Sequence, residues 1–495
     1  MSQARQLNLL FGAGGVLFSV SLLWIILRSL APVSPQIARA AEPPASLAQP
    51  NIVLFVVDTL RADRLQPYGY PRPTSPRLLE LADEAVVFEQ ASAAAPWTLP
   101  SMASVMTGRL PSAHALNSTR QSLPAAQRTL AEELRSAGYT TIGLYGNSMV
   151  APEFGFGRGY DFYQVSFQNT GVQVDHALNL NPGRPFFLYV HNLEPHNPEF
   201  FAPPHSDGFR DVGPDVRRKI AAYYKAYRIA TWEDYEARRA SGSPQAAVRQ
   251  QRQVELLASL RDDYEELYDA AVRLADERVG DMIDTLRARG VWDDALVIFL
   301  SDHGEEFNER GGWSHDQSVY QELLHVPLIV KFPQGRFAGT RIAEPVSLVD
   351  VYPTVAEWLS RRAPDSLDGR SLLPALAQQP VRPLDAPFVA AVRRNVMSRY
   401  AVFADDRGDT NVVVRHGCWK GVWHADLDRF EGFDLCADPL ELNPLEPSGA
   451  WADAAAALLD AARCVWESRF GDDEGGAAQM SDDTLRNLRA IGYVQ

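Results

Sequence analysis

The chain has 495 residues, of which 46% are hydrophobic and 22% are charged, as is typical of a globular protein with one large and one smaller domain. Its formal net charge of -15 argues against a general nucleic-acid-binding protein, which would carry a basic excess. An anionic small substrate is not excluded, because a bound metal ion can reverse the local electric field.

The N-terminal segment, residues 1–30, contains an uncharged stretch long enough to cross a membrane. Residues 9–27 carry no charge, and their length predicts a helix that anchors the protein in the membrane. A cleaved signal segment is the alternative, since small residues follow in ARAAEPPA. Residues 31–49, rich in Pro and Ala, are predicted to be a linker. We expect the part of the chain after the linker on the extracytoplasmic side, periplasmic or extracellular.

Apolar runs at residues 52–57, 185–192 and 295–300 predict buried strands. Amphipathic patterns such as RTLAEELRSAG lie between them and predict helices. Strands that alternate with helices indicate an α/β fold with a central, mainly parallel sheet flanked by helices. Residues 205–262 are charged and lack strand signals, so we interpret them as a helical insertion.

A polar side chain ends each of these three strands. These residues are Asp58, His191 and Asp302. Ligands bind outside the carboxyl ends of the strands in such sheets. One Asp at a strand end is commonly only a helix cap, but three polar ends with nearby histidines indicate a site. A role for His191 as a buried strand-end donor is the alternative to a role in substrate binding.

Two hydroxyl groups precede the next apolar helix. Thr98 and Ser101 lie in APWTLPSMASVMTGR, residues 95–109. Thr98 could cap the helix, because Ser and Thr are preferred at that position. It could also be a nucleophile at a helix N-terminus, where backbone amides favour an anion.

The chain has three cysteines, Cys418, Cys436 and Cys464. Two of them could form a disulfide, or all could be buried free thiols, and the sequence does not decide between these alternatives.

Several segments together resemble the sulfatase-like branch of the alkaline phosphatase superfamily. They are VVDTLRADRL, WTLPSMASVMTGR, YVHNLEPHNPEF, LSDHGEEF, SHDQSVYQELLHVPLIVKFP, FDLCADPLELNPL and LRNLRAIGYVQ. They occur in the family's order from about residue 51 to the end. The resemblance implies an alkaline-phosphatase-like sandwich as the catalytic domain over residues 50–375. It also implies a small C-terminal α+β subdomain over residues 376–495.

The nucleophile motif departs from that of the family's sulfatases. Those enzymes carry Cys or Ser in Cys/Ser-x-Pro-x-Arg and convert it to formylglycine. Here the aligned residues run from Thr98 to Met102, so the modifiable residue and the arginine are both replaced. Thr98 instead resembles the threonine nucleophile of the family's phosphodiesterases and phosphoryl-headgroup transferases. An ester on threonine is released only by attack at its phosphorus or sulfur atom. Such attack is common at phosphorus and unfavourable at the sulfur of a sulfate ester.

The same resemblance implies a metal site formed by Asp58, Thr98, Asp302 and His303. Sulfatases usually carry Asp-Asn for calcium where this chain has Asp302-His303. An imidazole suits zinc or manganese better than calcium, which prefers oxygen ligands. We therefore expect one divalent ion, zinc first, with manganese or calcium as alternatives.

Further residues are assigned to the substrate. By the resemblance, His196 is the general acid and His315 contacts a phosphate oxygen. Asn147 and Arg61 are additional substrate-binding candidates, and a surface ion pair is the alternative for Arg61. The predicted function is a hydrolase or transferase that forms a phospho-threonine with an anionic phosphoester. The alternatives are a sulfatase without formylglycine, acting on a sulfate ester, and a non-catalytic membrane-anchored binding protein.

Overall fold

A computed structural model of the chain describes residues 49–477, except for 167–169, 182, 184, 199–208, 227–251, 316–317, 362–363, 365, 378–410, 425–427, 447 and 470–475. The predicted anchor and residues 31–48 of the linker lie outside these residues. Among the helices that the structure does describe, none combines the length and apolar character that a bilayer span requires. The membrane anchor therefore stays a prediction.

Sixteen strands are present in the described part of the chain. In chain order they are β1 Ile52–Val57, β2 Val86–Ser92, β3 Gln121–Ser122, β4 Thr140–Tyr145, β5 Phe162–Val165, β6 Phe186–Asn192, β7 Leu296–Leu300, β8 Glu306–Phe307, β9 Trp313–Ser314, β10 His325–Lys331, β11 Thr340–Ile342, β12 Val346–Ser347, β13 Asn411–His416, β14 Trp419–His424, β15 Arg429–Asp434 and β16 Gly476–Ala477.

The main helices are α1 Pro76–Asp83, α2 Thr98–Thr107, α3 Pro111–His114, α4 Leu130–Ser136, α5 Gly171–Leu178, α6 Arg261–Ala288, α7 Gln321–Leu324, α8 Val351–Trp358, α9 Leu373–Leu376 and α10 Gly449–Arg469. Within the predicted insertion, residues 214–226 and 252–258 are also helical.

A nine-stranded sheet forms the centre of the molecule, in the order β11-β2-β10-β7-β1-β6-β4-β5, with β12 also paired to β2. β1 lies parallel to β6 and β7, and β4 lies parallel to β5 and β6. β10 runs antiparallel between β7 and β2. The predicted α/β fold with a mainly parallel sheet is confirmed.

Both faces of the sheet are covered, which explains the continuous apolar character of β1. Alternate side chains of a strand point to opposite faces. Ile52, Leu54 and Val56 accordingly pack in a cluster that contains residues of α2. Val53, Phe55 and Val57 pack in a second cluster that contains residues of α6. The result is a three-layer sandwich.

The predicted small C-terminal subdomain is also confirmed. β13, β14 and β15 form an antiparallel sheet, and α10 packs against it. Trp451 of α10 lies so close to β15 that a Cβ added at Gly432 would overlap its ring at 1.6 Å. A disulfide joins Cys418 and Cys436, which settles the pair that the sequence left open.

Two carboxyl groups are buried together beside β8. Ser318 donates a hydrogen bond of 2.6 Å to Glu306, and Arg310 forms an ion pair of 2.7 Å with Glu322. Burial and the charge of Glu322 raise the pKa of Glu306 to about 8, and burial raises the pKa of Glu322 to about 7. At neutral pH the fold therefore favours a proton in this pair.

We expect Glu306→Gln to remove a pH-dependent loss of stability. The pKa of Glu306 in the folded chain, about 8, exceeds the ordinary value of 4.5. The contribution of this side chain to the free energy of unfolding is therefore fully present below pH 4.5 and is lost as the pH rises through 8. The variant should lie within about 1 kcal/mol of the parent chain at pH 5 and exceed its free energy of unfolding by roughly 4 kcal/mol at pH 9. Urea denaturation at both pH values measures this. Glu80→Gln, on an exposed side chain, is the control, and an equal gain at both pH values would contradict the assignment.

Candidate active site

The carboxyl ends of three adjacent strands bring together Asp58, His191 and Asp302. The registers of β1 with β6 and with β7 place these ends side by side. The three side chains are fully buried. One ligand atom from each lies within 4.8 Å of the others, so the group could hold a metal ion.

Thr98 reaches this cluster from the first position of α2. The residue before it, Trp97, is the N-cap, and no side chain caps the helix. The interpretation of Thr98 as a helix cap is therefore wrong, because its hydroxyl points to the strand ends. Thr98 Oγ1 lies 3.2 Å from Nε2 of His303 and accepts a hydrogen bond of 3.1 Å from Nδ2 of Asn147. Pro100 has no N–H, so the first turn offers an anion one amide fewer than usual.

His303 presents a ligand nitrogen to the same point. Its Nδ1 donates to the carbonyl of Gly304 at 2.8 Å, so in the neutral ring Nε2 carries the lone pair. Nε2 lies 3.5 Å from Oδ2 of Asp302 and 3.7 Å from Oδ1 of Asp58. A backbone carbonyl on the far nitrogen is the usual arrangement for a metal-binding histidine.

The charge balance of the cluster calls for a cation. Oδ1 of Asp58 and Oδ2 of Asp302 are buried and make no hydrogen bond within the described structure. Burial and the Asp58 carboxylate raise the pKa of Asp302. Burial would lower the pKa of His303, but the carboxylates of Asp302 and Asp58 raise it. Positive charge is thus stabilised where these groups meet, and the residues fit a divalent ion.

Asp58 itself is held in its ionised form. Burial would raise the pKa of Asp58, but the hydrogen bond with His191 and the charge of His196 keep it well below its usual range. His191 Nε2 lies 3.3 Å from Oδ2 of Asp58, and His191 Nδ1 lies 2.8 Å from the hydroxyl of Tyr189. Asn147 Nδ2 also donates to Oδ2 of Asp58. The structure therefore places His191 and Asn147 against the Asp58 carboxylate.

Hydroxyl groups tie the three chain segments of the cluster to one another. Ser101 Oγ donates to the carbonyl of Asp302 at 2.6 Å. Ser301 Oγ accepts from the amide of Leu60 at 2.8 Å and donates to the carbonyl of His303 at 2.7 Å. These bonds join the strand ends to α2 and to one another through protein atoms. We name this set of bonds the serine ties.

Two further histidines border the cluster. The ring centroid of His315 lies 4.6 Å from that of His303 and 5.0 Å from that of His196. Glu305, which the sequence reading did not single out, faces His315 with Oε2 at 3.2 Å from its Nδ1. The signal was its position in DHGEE, directly after the metal-binding pair and Gly304.

Arg61, a predicted substrate-binding candidate, forms buried ion pairs. Its guanidinium is buried, donates to Asp63 and to the carbonyl of Glu305, and pairs with Glu309 at 2.6 Å. It also stacks over Phe307 at 4.5 Å. An ion pair is present, but it is buried rather than on the surface. Within the described residues, no hydrogen bond links this guanidinium to the metal-binding cluster.

Comparisons with known proteins identify the family of this chain. The sulfatase family model matches residues 50–360, and that of the N-sulphoglucosamine sulphohydrolase C-terminal region matches residues 309–462. An N-acetylglucosamine-6-O-sulfatase of Bacteroides thetaiotaomicron is 21% identical over 83% of this chain and 85% of its own. A choline-sulfatase of Rhizobium meliloti is 28% identical over 80% of this chain and 82% of its own.

Solved structures show the same fold. BT4656, in complex with its substrate D-glucosamine-2-N,6-O-disulfate, has a TM-score of 0.65 and 20% identity over 86% of this chain and all of its own. The phosphonate monoester hydrolase of Agrobacterium radiobacter has a TM-score of 0.61 and 17% identity over 88% of this chain and all of its own. Enzymes of this fold use a divalent metal ion.

Proposed function

This chain belongs to the sulfatase family, and on that premise we propose that it is a metal-dependent hydrolase or transferase that attacks phosphoesters through Thr98. Its relatives act as hydrolases of ester bonds, and this chain is an enzyme of that class. The observation that carries the finer proposal is the buried hydroxyl of Thr98 among Asp58, Asp302 and His303.

The chemistry of threonine favours phosphorus. A formylglycine hydrate can release sulfate by collapsing to the aldehyde, whereas threonine has no second hydroxyl. An ester on Thr98 is released only when water or an alcohol attacks its central atom. Attack at a tetrahedral phosphorus is ordinary phosphoryl-transfer chemistry. The phosphonate monoester hydrolase fold relative supports the same class of substrate.

The reaction that we propose has two displacements at phosphorus. The Thr98 alkoxide forms the Oγ–P bond as the bond from phosphorus to the leaving oxygen breaks. His196, protonated, gives its proton to that oxygen, and His315 contacts a non-reacting phosphate oxygen. Water or an acceptor alcohol then attacks phosphorus, passes its proton to His196 and releases the Thr98 alkoxide.

The ion that the cluster would hold is proposed to be zinc. Asp58, Asp302, His303 and Thr98 would be its ligands, and His191 is placed to add to them. A divalent cation bound there would lower the pKa of the Thr98 hydroxyl and neutralise charge on the phosphoryl oxygens. An imidazole in the donor set favours zinc or manganese over calcium.

A substrate panel tests the phosphoester proposal. The chain is loaded with zinc, manganese or calcium and assayed on matched 4-nitrophenyl esters: a sulfate, a phosphate monoester, a phosphodiester and a phosphonate. We expect kcat/KM for the best phosphorus ester to exceed that for the sulfate by about 100-fold. A higher value for the sulfate ester would favour the second candidate, a sulfatase that uses unmodified Thr98, which the sulfatase relatives support.

We further propose that residues 9–27 anchor the chain in a membrane with the catalytic domain on the extracytoplasmic side. The uncharged stretch has the length of a membrane span. The Cys418–Cys436 disulfide supports the location, because disulfides persist in oxidising compartments.

A further inference from the structure

We propose that Tyr224 of the insertion and Glu305 are positioning residues that orient His315 at the active site. The inference rests on the proposed substrate contact of His315, and it gives residues 214–226 a role in the reaction. Tyr224 lies within this helical stretch. Its hydroxyl donates to Oε1 of Glu305 at 3.0 Å, while Oε2 of Glu305 lies 3.2 Å from Nδ1 of His315.

The backbone of Glu305 is fixed on both sides. Its amide donates to the carbonyl of Glu322 at 3.1 Å, and its own carbonyl accepts from Arg61 at 2.9 Å. A side chain on a fixed backbone keeps a defined position when both of its carboxylate oxygens are also bonded. Tyr224 holds one oxygen and His315 the other, so the carboxylate is held between the insertion and the site.

Burial makes this arrangement effective. Glu305 and His315 are 1% exposed, and Tyr224 is 8% exposed. Hydrogen bonds to a carboxylate are stronger away from water, and a carboxylate on Nδ1 fixes both the ring orientation and the tautomer of a histidine. Because the His315 ring stands 4.6 Å from that of His303, a rotation of the ring would change what the substrate meets beside the metal-binding cluster.

The insertion is packed so that it can transmit this constraint. Tyr224 stacks on Tyr264 of α6, with ring centroids 6.0 Å apart. Ile220 and Tyr224 both belong to the hydrophobic cluster between the sheet and α6. Removing the hydroxyl of Tyr224 alone therefore leaves the ring packing in place and removes the bond to Glu305.

A double-mutant cycle tests the proposal in the full chain loaded with zinc. We expect Tyr224→Phe to lower kcat about tenfold, with KM changed less than twofold and the melting temperature nearly unchanged. In a His315→Ala background, the same change should lower kcat less than twofold, because Tyr224 acts through His315. Glu305→Gln should lower kcat at least as much as Tyr224→Phe. The control is Tyr223→Phe, on the neighbouring tyrosine of the same helix, which should leave kcat unchanged.

The experiment tests the positioning role of Tyr224 and Glu305 independently of the proposal that the substrate is a phosphoester. The cycle is measured on the aryl phosphoester and the aryl sulfate, so turnover of the sulfate alone would overturn the phosphoester proposal and still complete the cycle. If neither ester reacts, the cycle is read from the Kd of inorganic phosphate and of sulfate, with Tyr224→Phe expected to weaken binding severalfold only when His315 is present. Equal losses in both backgrounds, or no loss in either, would overturn the positioning role.

Discussion

Thr98→Ala is expected to lower kcat on the best ester by at least about 1000-fold, because it removes the hydroxyl that we propose as the nucleophile. Thr98 is fully buried and its Oγ1 contacts Asn147 and His303. The change should also cost about 1–2 kcal/mol of unfolding free energy, from the lost hydrogen bonds. Steady-state kinetics and urea denaturation measure the two effects.

Thr98→Ser is the matched control, since it keeps the hydroxyl and removes one methyl group. We expect it to retain kcat within about tenfold of the parent chain. Intact-mass spectrometry of a rapidly quenched reaction should show one added phosphoryl group in the parent and Thr98→Ser chains and none in Thr98→Ala. A Thr98→Ala chain that still turns over substrate while binding metal would remove Thr98 from the mechanism.

Asp302→Asn is expected to change stability in opposite directions with and without metal. In the metal-free chain, Asp302 and Asp58 lie in one cluster, and burial together with the charge of Asp58 raises the pKa of Asp302. Removing one charge there should raise the unfolding free energy by about 1–2 kcal/mol. With saturating zinc, the same variant should be less stable than the parent chain because a ligand is lost, and the stabilisation by metal should shrink.

Denaturation in EDTA and in excess zinc, with zinc affinity from a competition assay, measures both directions. The asparagine retains Oδ1, which accepts from the amides of Thr59 and His303, so the loop geometry is kept. Asp276→Asn is the control: Asp276 is also buried but accepts the amides of Arg77 and Leu78 at a helix start. Its effect on stability should be the same with and without zinc. If Asp302→Asn behaves in the same way, the ion does not bind at this cluster.

The fold was predictable because its signals are local. A buried parallel strand reads as an unbroken apolar run, and the residue that ends the run marks the edge of the sheet. Asp58 and Asp302 were identified in this way. The role of Thr98 was harder to predict, because a threonine at this point of the chain fits both a helix cap and a nucleophile. The choice depended on the extended backbone of Trp97, because α2 starts at Thr98, one residue earlier than a cap at Thr98 would require.

The remaining parts of the site depend on contacts between distant segments. Glu305 and Tyr224 are 81 positions apart, and no periodicity joins them. For Arg61 a surface ion pair was the alternative to substrate binding, but its partner Glu309 lies 248 positions away in the sequence and the guanidinium is buried. For His191 the sequence left open both a role in substrate binding and a role as a buried hydrogen-bond donor, since a histidine at a strand end fits either. The contacts that it makes with other segments of the folded chain are needed to distinguish the two roles.

The serine ties have a consequence for the proposed metal site. Because Ser101 and Ser301 bond protein atoms to one another, a cation bound at this site would not itself have to join these segments, so little conformational entropy would be lost on its uptake. Most of the binding free energy can then appear as affinity. Selectivity among ions would be set by the shape and charge of a rigid cage, and not by a rearrangement that only one ion induces.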